Sequence, residues 1–170
     1  MIEPAILIIF PLCMAITAFS DLLSMTIPNR VSIILCAAFL LLAPFAGLGL
    51  EAIAWHMLGA LIVFLVGFAL FAARVMGGGD AKVLAASALW FGFGPDLFAY
   101  LIHVTLIGGA LTLIFLMIRA RGDLLLATGL PIPAHVLDRK AGIPYGVGIG
   151  IAGFVCFPSS VMMQTVFGWQ

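Results

Sequence analysis

The sequence predicts an all-α integral membrane protein, folded as a bundle of six transmembrane helices. Three observations lead there. Of its 170 residues, 65% are hydrophobic and only 8% are charged, with a mean hydropathy of +1.32, which a water-soluble domain of this size does not show. Several apolar runs are long enough to cross a bilayer. These runs are continuously apolar rather than alternating, which argues against a barrel. We treat residues 1–170 as a single transmembrane domain.

Each predicted helix corresponds to one apolar run. A bilayer core needs about 20 apolar residues in a helix, and five runs approach that length: 4–20, 31–50, 54–73, 97–118 and 145–167. A sixth, shorter run from about 81 to 93 follows three glycines. No Lys or Arg precedes the first run, as a signal peptide would require, so we expect it to be a retained span.

The basic residues set the orientation. All of them fall in the first, third and fifth connections between the runs, namely Arg30, Arg74, Lys82, Arg119, Arg121, Arg139 and Lys140. Short loops rich in Lys and Arg stay in the cytoplasm. The sequence therefore predicts cytoplasmic odd-numbered connections, with both termini outside. The same assignment brings Asp21 and Asp80 to the cytoplasmic side.

Composition gives little support to cofactor or nucleic-acid binding. Seven basic residues balance seven acidic ones for a formal charge of +0, so the charge does not suggest a nucleic-acid partner. The cysteines lie inside apolar runs and form no CxxC pair; they are Cys13, Cys36 and Cys156. The histidines lie far apart in the sequence; they are His56, His103 and His135. These patterns predict neither a metal site nor a disulfide framework. We expect no cofactor and no metal. The oligomeric state stays open.

The glycines Gly77, Gly78 and Gly79 precede Asp80 directly. Three glycines disfavour a helix, so we expect the fourth helix to begin after Gly77. From Asp80 to Phe93 a helix would cover roughly 21 Å, against a hydrocarbon core of about 30 Å. This places Asp80 below the cytoplasmic surface of the membrane, where irregular backbone requires a wet or protein-lined cavity. The alternative is that Asp80 caps the helix and the glycines form a hinge.

Asp21 ends the first apolar run at the same boundary. It could be a solvated residue at a helix end. However, ionisable groups at membrane depth are costly and usually mark function. Two carboxyls in one pocket of low dielectric share a proton, so that one acts as a base and the other as an acid. That is the chemistry of an aspartic peptidase, which activates water without a metal or a covalent intermediate.

Three motifs in order resemble the type IV prepilin peptidase family. Gly77-Gly78-Gly79-Asp80 reads as a GxGD motif followed by Ala81-Lys82. Asp21 stands six residues before Ile27 in Ile27-Pro28-Asn29. Lys140 is followed by Pro144-Tyr145-Gly146 at the start of the last run. The resemblance extends from the first residue to the last predicted helix.

The resemblance implies a GxGD aspartyl protease of the inner (cytoplasmic) membrane with Asp21 and Asp80 as its catalytic pair. Such a protease removes the short basic leader of prepilins or pseudopilins in the bilayer, after a glycine and on the cytoplasmic side. The chain is similar in size to the stand-alone peptidases of tight-adherence (Flp-type) pilus systems, and archaeal preflagellin peptidases share the chemistry. Larger members carry paired CxxC motifs and also methylate the new N-terminus; these motifs are absent here, which puts methylation in doubt.

The same resemblance names supporting or substrate-binding candidates, which are Gly77, Gly78, Gly79, Lys82, Asn29, Lys140, Pro144 and Tyr145. Each has an ordinary alternative. Lysines and a tyrosine at helix starts are common interface anchors, and an asparagine after proline is a common turn or cap. The glycines Gly142, Gly146 and Gly150 form a small-xxx-small series that favours close helix packing.

Two other classes of function remain as alternatives. A small transporter or channel would use intramembrane aspartates to relay protons or bind cations, but its carboxylates should extend along a span rather than gather at one boundary. A non-catalytic assembly factor of a pilus or secretion system would keep the fold without needing the two aspartates. Aspartate substitutions that leave function intact would favour this second alternative.

Overall fold

The computed structural model describes residues 2–121 and 142–168 and confirms the all-helical fold class, since these residues contain no strand. The helices are α1 (Glu3–Ser24), α2 (Asn29–Phe45), α3 (Leu50–Ala72), α4 (Gly78–Ala88), α5 (Pro95–Ala120), α6 (Tyr145–Cys156) and α7 (Val161–Phe167). A 3-10 turn, Phe157–Ser159, joins α6 to α7.

Within residues 2–121 and 142–168, four helical segments are long and apolar enough to cross a membrane: α1, α3, α5 and the α6–α7 segment Tyr145–Phe167. These confirm the membrane character that the composition predicted. α2 is apolar but has 17 residues. α4 has only 11 residues, roughly 16 Å at 1.5 Å per residue, and does not cross the hydrocarbon core by itself. The count of six spans stays a prediction.

Local backbone features shift the helix ends from the predicted runs. α2 stops at Phe45 rather than near residue 50, because a turn through Gly47 at φ +90° reverses the chain. α4 ends at Ala88, before Gly92 at φ +73°, a conformation that glycine adopts readily. Pro158 lies in the 3-10 turn that interrupts the last run. The predicted start of α4 is confirmed, since Gly77 is its N-cap.

The core of the bundle surrounds α4 and the turn after it. α4 packs against α2, α3 and α6. Trp90 is fully buried just beyond α4, and its indole N–H donates to the Leu35 carbonyl at 3.2 Å. Phe10 of α1 stacks on Phe157 with ring centroids 4.4 Å apart and also contacts Trp90. A large aromatic core therefore holds this end of α4, while the outer faces of α1, α3 and α5 remain apolar.

Glycines let α6 approach its neighbours closely. A Cβ on Gly150 would lie 2.7 Å from the Met14 carbonyl oxygen of α1, and one on Gly148 would lie 3.2 Å from the backbone of Gly108 in α5. The close packing expected of the small-xxx-small series is confirmed at Gly150. Gly142 precedes the helix instead of lying on it.

We expect Gly150→Ala to lower stability by about 1–3 kcal/mol, because the added methyl group overlaps backbone that cannot move aside. Gly109→Ala is the matched control, since a Cβ there meets nothing within 4 Å. Thermal unfolding in detergent measures both variants. Equal midpoints would show that the α1–α6 contact tolerates the methyl group.

Candidate active site

Asp21 lies in the last turn of α1 and is 5% exposed. Met25, with φ 53°, ends that helix and turns the chain toward α2. The N–H of Gly146 donates to Asp21 Oδ2 at 2.7 Å. This bond joins two residues that are 125 positions apart in the sequence, and it fixes the carboxyl against the first turn of α6.

Asp80 is the third residue of α4 and is 8% exposed. Gly77 is the N-cap, so Asp80 is not the capping residue considered as an alternative. Its side chain reaches back to the N–H of Gly77, as an acidic residue in the first turn can do. A Cβ on Gly77 would lie 2.7 Å from Asp80 Oδ2. The first glycine of the motif is therefore required by the close approach of this carboxyl.

Both carboxyls line one small cavity at the end of the bundle. Its volume is about 220 Å³, and it is lined by Asp21, Met25, Thr26, Ile27, Asn29, Gly79 and Asp80. Water takes up about 30 Å³ per molecule in the liquid, so the cavity has room for several. Of the residues predicted from sequence, the cavity brings together Asp21, Asp80, Asn29 and Gly79.

The protonation of Asp80 follows from its surroundings. It lies outside the four helices long enough to span the membrane, and burial raises its pKa to about 7, with a further contribution from the nearby Asp21. The N–H groups of Gly77 and Gly146 act in the opposite direction and lower the pKa. Among the described residues, nothing donates to Asp80 Oδ1, although that atom is buried. The Asp80 carboxyl is therefore neutral below about pH 7, where it can present its proton to the cavity.

Two helix N-termini meet at the cavity. α4 begins at Gly78 beside Asp80, and α6 begins at Tyr145 beside Asp21. The first backbone N–H groups of a helix have no partner within it, and together they favour a negative charge. Burial disfavours two negative charges, whereas the helix ends stabilise one. The arrangement suits a pair of carboxyls that carries one proton.

Sequence reasoning missed Gly146 as a member of the site. It appeared in a packing series and in a family motif, but its N–H contacts Asp21 and also lies close enough to lower the pKa of Asp80. A Cβ on Gly146 would lie 2.8 Å from both Asp21 Cβ and Ile27 Cδ1. Only the motif Pro144-Tyr145-Gly146 gave a signal for this residue.

Arg119 was also missed, because the sequence identified it only as a basic residue of the fifth connection. It is 7% exposed at the end of α5. Its Nη2 donates to the Gly142 carbonyl at 2.8 Å, and its guanidinium lies 5.8 Å from the centre of the Phe115 ring. Arg119 therefore anchors the segment that leads into α6 and its Gly146 N–H.

The other predicted residues lie around this centre. Lys82 Nζ donates to Asn29 Oδ1 at 3.2 Å, which joins α4 to α2. Gly78 faces Phe71, since a Cβ there would lie 3.2 Å from that ring. Pro144 is the buried N-cap of α6. The ring of Tyr145 lies against Gly108 rather than along the cavity. Lys140, the last of the predicted residues, falls outside the described residues.

Comparison with known proteins gives one match. The model of a family described as the type IV leader peptidase family matches residues 8–118, which is more than half of the chain. The matched region contains Asp21, Asp80 and the glycines before Asp80. Searches of curated proteins and of solved structures returned no significant match.

We expect the thermal unfolding midpoint in detergent to fall as the pH rises from about 4 to about 7. Asp80 has a folded pKa of about 7 and a reference value of 3.8. Between these values the unfolded chain releases the proton that the folded chain retains, so the free energy of unfolding decreases with pH and levels off above the folded pKa.

Asp80→Asn should remove this part of the pH dependence, and Asp96→Asn, which also removes one carboxyl, should retain it. Midpoints measured at half-unit pH intervals for all three proteins make the comparison. A slope in Asp80→Asn as steep as that of the unsubstituted chain would contradict the raised pKa.

Proposed function

The chain belongs to the type IV leader peptidase family and is a membrane peptidase, and we propose that it is an aspartic endopeptidase that cleaves after a glycine. Its substrates are type IV (Flp-type) prepilins or pseudopilins, from which it removes the short basic leader. One observation carries the proposal: Asp21 of α1 and Asp80 of α4 line the same buried cavity.

The two carboxyls take different roles in this proposal. Asp21 accepts a short hydrogen bond from the Gly146 N–H and keeps the negative charge. Asp80, with a pKa of about 7, keeps the proton. Asp21 is then the base that faces a water molecule, and Asp80 is the acid that faces the carbonyl oxygen of the scissile peptide.

The reaction needs only these groups and water. The water oxygen bonds to the carbonyl carbon while Asp21 takes one water proton, and the Asp80 proton stabilises the oxygen that becomes negative. When the C–N bond breaks, the leaving nitrogen takes a proton from the pair. The carboxyls again share one proton, so the site is ready for another cycle.

Orientation supports a cytoplasmic-facing site in the inner membrane. A basic leader followed by an apolar helix places the cleavage point at the cytoplasmic boundary of the bilayer. The two carboxyls lie at the end of the bundle where α1 ends and α2 begins, next to Arg30. Lys82 and Arg119 lie at the same end, joined to Asn29 and Gly142 respectively.

We expect Asp21→Asn and Asp80→Asn each to reduce leader removal by about 10²–10⁴-fold, the usual contribution of general acid or base catalysis. Asp96→Asn is the matched control, because Asp96 lies in the first turn of α5 at the opposite end of the bundle. Each variant is co-expressed with a prepilin that carries a basic leader ending in glycine. Gel shift and mass spectrometry of the new N-terminus measure cleavage, and membrane fractions verify insertion.

Two results would contradict the proposal. Full cleavage by both inserted variants would assign the carboxyls a structural role and contradict the aspartic mechanism. Failure of the unsubstituted chain to cleave any of a panel of Flp-type prepilins and pseudopilins would overturn the substrate class. The same spectra report whether the new N-terminus is methylated.

Gly146→Ala should reduce cleavage about as strongly as an aspartate substitution, because the methyl group overlaps Asp21 Cβ and Ile27 Cδ1 at 2.8 Å. Gly109→Ala should leave cleavage unchanged. Initial rates in the same detergent, for variants with verified folded fractions, separate loss of the site from loss of the fold. Full activity in Gly146→Ala would show that the N–H contact is dispensable.

A further inference from the structure

A second, larger groove lies beside the cavity that holds the carboxyls. Its volume is about 780 Å³, its walls are α2 and α3, and its floor is α4. The two wall helices each pack on α4 rather than closely on one another. Residues 46–49 form the short turn that joins α2 to α3. The space between these two helices is a cleft rather than a filled helix contact.

Three helix faces point into this groove. The α4 residues Lys82, Ala85 and Ala86 and the C-cap residue Leu89 follow the spacing of a single helix face. On α2 the lining runs from Asn29 to Leu40, roughly 16 Å along the axis or three turns. The floor of alanines lets another helix backbone approach closely, as small residues do in membrane helix contacts. The dimensions suit a length of helix.

The groove adjoins the cavity of the two carboxyls at Asn29. Asn29 lines both spaces, and Lys82, which lines the groove, donates to its side chain at 3.2 Å. A peptide bond held at the carboxyls can therefore be followed directly by a segment in the groove. A lipid chain can cover the apolar face of the groove. Only a polypeptide can place an apolar segment in the groove and a peptide bond at the carboxyls at the same time.

We propose that the groove binds the apolar helix of the substrate on the C-terminal side of the scissile bond. This inference rests on the proposed function. Of the described residues that line the groove, Lys82 is the one with a charge. Its ammonium group repels a basic leader, and the rest of the lining is complementary to an apolar helix. The leader therefore leaves the site in another direction, and the apolar segment packs between α2 and α3.

Recognition then has two parts, one at the carboxyls and one in the groove. The apolar helix stabilises the bound substrate and the transition state equally, which lowers KM. A short peptide that contains only the leader and the residues around the cleavage point should be a poor substrate, since it cannot fill the groove. A change inside the groove should affect the full substrate and spare the short peptide.

Ala37→Trp tests this directly, because Ala37 is an exposed residue of α2 that lines the groove. The control is Ala110→Trp, the same change at an exposed alanine of α5, which packs on α6. For a prepilin with its complete apolar helix, we expect Ala37→Trp to raise KM about tenfold or more with little change in kcat, as loss of uniform binding does. Ala110→Trp should change neither value.

Cleavage of the short peptide should be equal in both variants. If Ala37→Trp and Ala110→Trp cleave the full prepilin alike while Asp80→Asn is inactive, the groove proposal is overturned and the proposed function stands. If Ala37→Trp slows the short peptide as much as the full prepilin, the tryptophan acts on the carboxyl site, which also overturns the groove proposal.

Cross-linking gives an independent readout that does not need cleavage. Cys36 lines the groove and is half-buried, whereas Cys13 and Cys156 are buried in the core. In the Asp80→Asn background, prepilins with single cysteines along the apolar helix are oxidised with copper phenanthroline in membranes. We expect the yield of disulfides to Cys36 to vary with helical periodicity along the prepilin helix. An excess of cysteine-free prepilin should lower that yield by competition.

Cys36→Ser with Ala110→Cys provides the matched control and should give only weak, non-periodic cross-links. Equal yields from residues 36 and 110 would reveal random collisions in the bilayer and overturn the groove proposal, even if prepilin cleavage is verified. Periodic cross-links to Cys36 in a chain that cleaves no prepilin would support the groove and contradict the proposed function alone.

Discussion

The burial of two carboxyls at the boundary of an apolar bundle is the constraint on which the rest of the structure depends. Removing two carboxyl groups from water costs more free energy than their neighbours readily return. Backbone N–H groups reduce that cost: Gly146 donates to Asp21, and Gly77 to Asp80. Backbone donors can come this close only where no Cβ intervenes, so glycines occupy both positions.

The short helix α4 is a second result of the same constraint. A longer helix would carry Asp80 out of the bundle or extend past the opposite end. Instead α4 starts inside the protein and stops at Ala88, and the buried Trp90 and Phe91 hold the turn that follows. Its first turn can therefore lie beside the last turn of α1 and the first turn of α6. The two carboxyls lie where these three helix ends meet.

Much of this was predictable from sequence, because the bilayer restricts the backbone so strongly. Apolar runs located every described helix, and the glycines located the start of α4 before Asp80. Helix ends were less predictable, since they depend on local turns such as the one through Gly47. The contacts of Gly146 and Arg119 could not be derived from spacing, because they join segments far apart in the chain through packing. The groove between α2 and α3 likewise depends on how two apolar helices diverge, a property that hydropathy does not encode.

The hydrogen bond between Asp21 and Gly146 also has a consequence for biogenesis. Helices α1 to α5 emerge from the ribosome before α6, and they include both carboxyls. The N–H that stabilises Asp21 arrives only with the first turn of α6. Until α6 packs against α1, the hydrogen bond from the Gly146 N–H to Asp21 cannot form. The two carboxyls therefore reach the arrangement described above only after α6 has been synthesised and has packed on α1.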